Sequence, residues 1–118
     1  MGWFRRKPRI KWATELGDNK KVALVKATAL ASVTLRPFST PDFEVEITSG
    51  PEVAWVNNTP VLEVNVSATR NGKPLDIDGH LRFVNPPVAL RHGNRRPSEQ
   101  HDVALMTIIG DAIRRQLR

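Results

Sequence analysis

Aromatic rings alternate with cations at the N-terminus of this sequence, where residue types and spacing favour binding chemistry. Residues 1–12 hold three aromatic and five cationic side chains and no acid. Such rings stack on bases or lie among lipid headgroups while cations meet phosphates, and Trp and Arg also dominate binding at protein interfaces. The alternative is an arm that folds back, with Trp12 covering a sheet edge. We predict a basic aromatic arm whose contact residues are Trp3, Phe4, Arg5, Arg6, Lys7, Arg9, Lys11 and Trp12.

Arginines are concentrated in two further places, a loop at 91–96 and the C-terminal end of the sequence. The loop leads into a predicted helix whose first N–H groups would add to an anion site. A solvated connector is the favoured alternative. The arginines at the C-terminal end suit the negative end of a helix dipole and are predicted to face a partner. The candidate contact residues are Arg91, Arg95 and Arg96 in the loop and Arg114, Arg115 and Arg118 in the helix.

The sequence has no motif typical of an enzyme. It contains no cysteine, which excludes a thiolate nucleophile and cysteine-bearing metal sites, and its seven glycines are isolated. Asp76, Asp78 and His80 alternate along a predicted strand, opposite Glu63 and Asn65, and these are donor types that ligate divalent cations. Ligands on a strand face lie too far apart to converge, so a solvated hairpin face is the favoured interpretation. We expect no enzymatic activity, no cofactor and no metal.

The net charge of +6 is distributed very unevenly. Residues 1–12 carry +5, residues 13–36 carry +2, residues 37–90 carry −4 and residues 91–118 carry +3. Basic ends therefore flank an acidic middle. Such ends can bind phosphate, an anionic membrane or the acidic middle of a neighbouring copy. The acidic middle itself opposes binding to a nucleic acid, because each carboxylate repels phosphate.

Hydrophobic periodicity predicts the elements that position these charges. Lys20 to Leu35 alternates with period two, which predicts a long first strand. Phe43 to Thr48 alternates in the same way. Turns near 57–60 and at 71–72 predict two hairpins, which pair Trp55 with Leu62 and Leu62 with Leu81. Prolines, among them Pro51, are expected at strand ends.

The period changes to that of a helix after Ser98, the predicted N-cap. Leu105, Ile109, Ala112 and Ile113 are predicted to pack on the sheet, with Ile108 at the margin, and Asp111 to pair with Arg115. The predicted fold class is α+β: a strand-rich antiparallel sheet of about five strands with one C-terminal amphipathic helix. The predicted organisation is a basic arm (1–12) and a single domain (13–118) with a sheet (20–84), an Arg-rich loop (85–97) and a helix (98–117).

These features together predict a non-catalytic interaction or assembly module that binds copies of itself or a larger complex, of which a virus particle is one case. Acidic side chains of the sheet would receive basic ends from neighbours. The alternative is a nucleic-acid-binding protein that uses the arm and the Arg-rich loop. An anionic membrane is a less favoured partner, and no small-molecule substrate is expected. No long apolar run or secretory signal is evident, so we expect a cytoplasmic protein. The acidic side chains are Glu44, Glu46, Glu63, Asp76 and Asp78.

Overall fold

The structure is a computed structural model that describes residues 18–86 and 97–117. The predicted α+β class is confirmed: the described residues form an antiparallel sheet of five strands and two helices. The predicted arm and residues 87–96 of the predicted loop lie outside the described residues. The elements are α1 (Asp18–Ala31), β1 (Phe38–Ser39), β2 (Glu44–Val56), β3 (Thr59–Arg70), β4 (Lys73–Pro74), β5 (His80–Val84) and α2 (Pro97–Gln116).

The first element corrects the sequence prediction, because α1 is a helix where a strand was expected from Lys20 onward. The sheet therefore begins at Phe38 and not at residue 20. Ala23, Ala27 and Leu30 are buried at helical spacing against the sheet, and alanine and leucine have high helix propensity. The alternating pattern depended in part on Ser32 and Thr34, and both lie beyond the last residue of α1, so they did not need to fit its polar face. The small alanines let the helix approach the sheet closely.

A long hairpin of β2 and β3 forms the centre of the sheet. Its turn is Asn57-Asn58, and both residues have positive φ (51° and 63°), as a two-residue type I′ turn requires. The predicted four-residue loop was therefore wrong, and Trp55 pairs with Pro60 instead of Leu62. The register moves by two residues, so each side chain keeps the face that its pattern predicted.

Two irregularities shift the pairing along β3. The β2 register slips between Ile47 and Glu52, so Pro51 lies inside a strand at a bulge and not at a strand end. The predicted turn at 71–72 is confirmed, but residues 75–79 bulge after β4, and Leu81 pairs with Val64 instead of Leu62. The side chain of Gln116 binds this bulge, because its Oε1 accepts from the N–H of Asp78 (2.7 Å) and its Nε2 donates to the Asp78 carbonyl (2.9 Å).

Both helices cover the same face of the sheet and share one core with it. The fully buried Leu30, Leu62, Leu105, Ile109 and Ile113 come from α1, β3 and α2. The predicted packing of α2 is confirmed for Leu105, Ile109 and Ile113. Its first residue is Pro97, so Ser98 lies within the first turn and is not the N-cap. Ile108, expected at the margin, is also buried, at 8% exposure. The opposite face of the sheet is covered by no described element.

Candidate interaction surface

Most of the predicted contact residues lie outside the described residues: Trp3, Phe4, Arg5, Arg6, Lys7, Arg9, Lys11, Trp12, Arg91, Arg95, Arg96 and Arg118. The two that the structure describes differ from each other. Arg115 is exposed on α2. Arg114 is half-buried and binds its own domain.

Arg114 joins α2 to the loop before β2. Its Nε lies 3.1 Å from Oδ2 of Asp42, and its Nη1 lies 3.1 Å from Oδ1 of Asp111. The guanidinium also lies over the ring of Phe43, with its carbon 5.6 Å from the ring centroid. Asp111 therefore pairs with Arg114, and the predicted pair of Asp111 with Arg115 was wrong. Since Arg114 already has these partners, Arg115 is the described arginine of this helix that remains exposed to a partner.

The uncovered face of the sheet, here called the outer face, is acidic at the end far from the Asn57-Asn58 turn. Glu44 and Glu46 are exposed on β2, opposite Thr69 and Ser67 of β3. Glu44 accepts a hydrogen bond from the Thr69 hydroxyl at 3.2 Å. Glu52 is exposed further along the same strand. Among the described residues no cation pairs with any of these three glutamates, which therefore remain available to a basic partner.

A concavity of about 340 Å³ lies beside these glutamates, where β1 diverges from β2. β1 pairs with β2 only through Phe38 with Val45 and Ser39 with Glu44. Beyond these two pairs, β1 and β2 no longer pair with each other. The concavity therefore combines an apolar wall with carboxylates and hydroxyls, and it is lined in part by Pro37, Phe38, Glu44, Glu46, Ser67 and Thr69.

The outer edge of β2 is open over most of its length. β3 pairs with one side of β2, and β1 covers only Glu44 and Val45 on the other. Among the described residues no strand pairs with β2 from Glu46 to Ala54 on that side. An open edge presents unpaired N–H and C=O groups to any extended chain. Charged Glu46 and Glu52, together with the bulge at Pro51, are features that discourage a second copy of β2 from pairing there.

Glu63 is the one acid of the outer face that already has described cationic partners. Its Oε2 lies 2.9 Å from Nε of Arg82 and 2.9 Å from Nε2 of His80. These hydrogen bonds, that of Arg82 first, hold the pKa of the Glu63 carboxyl below its ordinary value of 4.5. Glu63 thus ties β5 to β3 and is not available in the way that Glu44 and Glu46 are.

The alternating set at Asp76, Asp78 and His80 does not converge on one point. Asp76 and Asp78 lie in the bulge, and Oδ1 of Asp78 accepts from the backbone N–H of His80 at 3.0 Å. The His80 imidazole turns to Glu63. Within residues 18–86 and 97–117 no group of three acidic or histidine side chains is placed to hold a metal ion.

Charge separates sharply between the described residues and the rest of the chain. The described residues hold eleven acids and nine Lys or Arg, a net charge of −2, whereas the remaining 28 residues carry +8. The sequence pattern indicates the basic ends and the exposed glutamates, but it indicates neither the open edge nor the concavity. The only local signal for either was the shortness of the apolar run at Phe38. Edges depend on which strands pair, and a single strand pattern does not reveal that.

No described helix is long and apolar enough to cross a membrane. No family model, curated protein or solved structure matches this chain.

Proposed function

We propose that this protein is a non-catalytic interaction module that assembles with copies of itself or with a larger complex. Its basic ends contact the acidic part of the outer face. The observation that carries the proposal is the exposure of Glu44, Glu46 and Glu52 beside an open strand edge, with no cation on them among the described residues.

Charge distribution supports self-association over binding to nucleic acid. Described residues with a net charge of −2 repel a polyanion, so phosphate contact would fall to the basic ends alone. The same −2 attracts those basic ends when they belong to another copy. Opposite charges on one chain suit association in a repeated array, because each copy then offers both of the complementary surfaces.

The test is reversal of charge at the concavity. Glu44→Lys with Glu46→Lys should reduce self-association at least about tenfold, because each substitution replaces an attraction to the basic ends by a repulsion. Light scattering of the full chain at low and physiological salt measures this directly. For the unaltered protein, association should weaken as salt rises.

The matched control is Asp102→Lys with Val103→Lys and Thr107→Lys, which makes the same change in net charge on α2, away from the outer face. This control should associate like the unaltered protein. Equal loss in both variants would show that only net charge matters and would contradict the assigned surface. A strict monomer at every salt concentration, with no partner recovered, would contradict the proposed function itself. Tight binding to duplex DNA by a monomer would favour the nucleic-acid alternative.

A further inference from the structure

The open edge of β2 and the concavity at its far end form one continuous path, and the start of α1 lies at the near end of that path. Nζ of Lys20, in the first turn of α1, donates to the carbonyl of Asn58 at 3.1 Å. Asn58 is in the turn that follows β2, so the first turn of α1 lies near the end of the hairpin at which β2 finishes. We propose that the basic arm of this chain lies along the open edge of its own β2, parallel to it, with Phe4 and Arg5 at the concavity.

The length of the arm fits this path. From Val56 to Glu44 there are twelve steps along β2, about 40 Å in an extended strand. From Asp18 back to Phe4 there are fourteen steps, about 46 Å when extended. An extended arm therefore just reaches the concavity, whereas a compact arm would stop well short of it. The direction is also fixed, because the arm runs toward the point where β2 ends.

The chemistry of the arm fits the edge as well. In an extended parallel arrangement Arg5 and Lys7 come level with Glu44 and Glu46, the two glutamates at the concavity. Because β1 already pairs with Glu44 and Val45, the arm would follow the edge only as far as Glu46, and Phe4 and Arg5 would turn into the concavity. Pro8 lacks an N–H group, which a strand tolerates at the outside of a sheet. Pro37 and Phe38 supply an apolar wall for the ring of Phe4. The bulge at Pro51 divides any backbone pairing into two short stretches.

The arm of the same chain is favoured over the arm of a second copy by tethering. A short linker holds the arm at an effective concentration in the millimolar range, far above that of a micromolar partner. A second β2 is disfavoured because it would bring glutamates near glutamates. This inference rests on the proposed function, since it places the arm on the same acidic surface, and association is then an exchange of arms between copies.

Disulfide formation in the full chain tests the contact, because the sequence contains no other cysteine. Ile10→Cys is paired with Thr48→Cys, exposed on β2, in one variant. In the control it is paired with Val84→Cys, which is 64% exposed on β5 at the opposite edge. In a glutathione buffer the first pair should close within one chain at least about tenfold faster than the control pair, if docking concentrates the two thiols. Mass spectrometry and non-reducing gels detect the closed monomer.

A second test neutralises glutamates of β2 that are expected to attract the arm. Glu46→Gln with Glu52→Gln, added to the first cysteine pair, should slow closure severalfold, whereas Asp102→Lys, the same change in net charge on α2, should leave the rate unchanged. Equal closure rates at the two edges would overturn the proposal. Disulfides that join only different chains would overturn docking within one chain while leaving the assembly function standing. Conversely, rapid disulfide closure on β2 in a protein that stays monomeric would support the contact between the arm and β2, and it would contradict the proposed self-association.

Discussion

At the scale of single residues, Gly79 and Gly110 lie in opposite surroundings. A Cβ on Gly79 would collide with the carbonyl oxygen of Val66, whereas a Cβ on Gly110 would meet only Nη1 of Arg114 at 3.6 Å and atoms further away. Gly110→Ala should therefore stabilise the fold by about 0.5–1 kcal/mol through helix propensity. Gly79→Ala should destabilise it by about 2 kcal/mol or more, because a backbone contact must open. Thermal melts followed by circular dichroism measure both.

Each of these glycine variants is the control for the other, since both add one methyl group. A loss of stability in Gly110→Ala would contradict the prediction that a Cβ at this position has room, with its nearest neighbour at 3.6 Å. Unchanged stability in Gly79→Ala would show that the pairing of Gly79 with Val66, whose N–H donates to the Gly79 carbonyl at 2.9 Å, contributes little.

At the scale of elements, the attachment of β5 to β3 depends on pH through Glu63. Because hydrogen bonds from Arg82 and His80 lower the pKa of this carboxyl, its stabilising contribution is complete above the ordinary pKa and is lost as the pH falls through the lowered one. Glu63→Gln should therefore be less stable than the unaltered protein at neutral pH, and the difference should shrink toward about pH 3. Denaturant titrations at both pH values test this.

Asp102→Asn is the control for Glu63→Gln, because Asp102 lies on α2 without a cationic partner among the described residues. Its stability relative to the unaltered protein should change much less between the two pH values. A difference for Glu63→Gln that is equally large in acid would mean that the substitution acts through packing and not through charge.

At the scale of the whole molecule, α2 and the sheet share one core and should unfold together. Ile109 is fully buried between them. Ile109→Ala should lower the free energy of unfolding by about 2–5 kcal/mol, since it leaves a cavity that neighbours fill only in part. Val103→Ala, on the same helix at 59% exposure, should change it by less than about 0.5 kcal/mol. Chemical denaturation followed by circular dichroism measures the free energy of unfolding of both variants. A near-native Ile109→Ala that fails to associate would instead place Ile109 at a partner interface.

Features that depend on local pattern can be read from the amino-acid sequence alone. Alternation placed Glu44 and Glu46 on the outer face and Val45 in the core, and the positive φ tolerated by Asn71 predicted a turn that the structure has. The helical period of α2 was equally readable. Even where the predicted register was wrong, the error was two residues, and a shift of two leaves every side chain on its face.

The remaining features depend on contacts between residues far apart in the chain, so they appear only once the chain is folded. An alanine-rich segment such as α1 suits a helix or a buried strand, and packing on the sheet selected the helix. The Arg114 side chain forms an ion pair with Asp42, which is 72 residues away in the sequence, instead of extending into solvent. The open edge of β2 and the concavity beside Phe38 exist because β1 ends after two residues. Strand pairing is a property of the whole sheet, so a single strand's sequence carries no record of which of its edges remains uncovered.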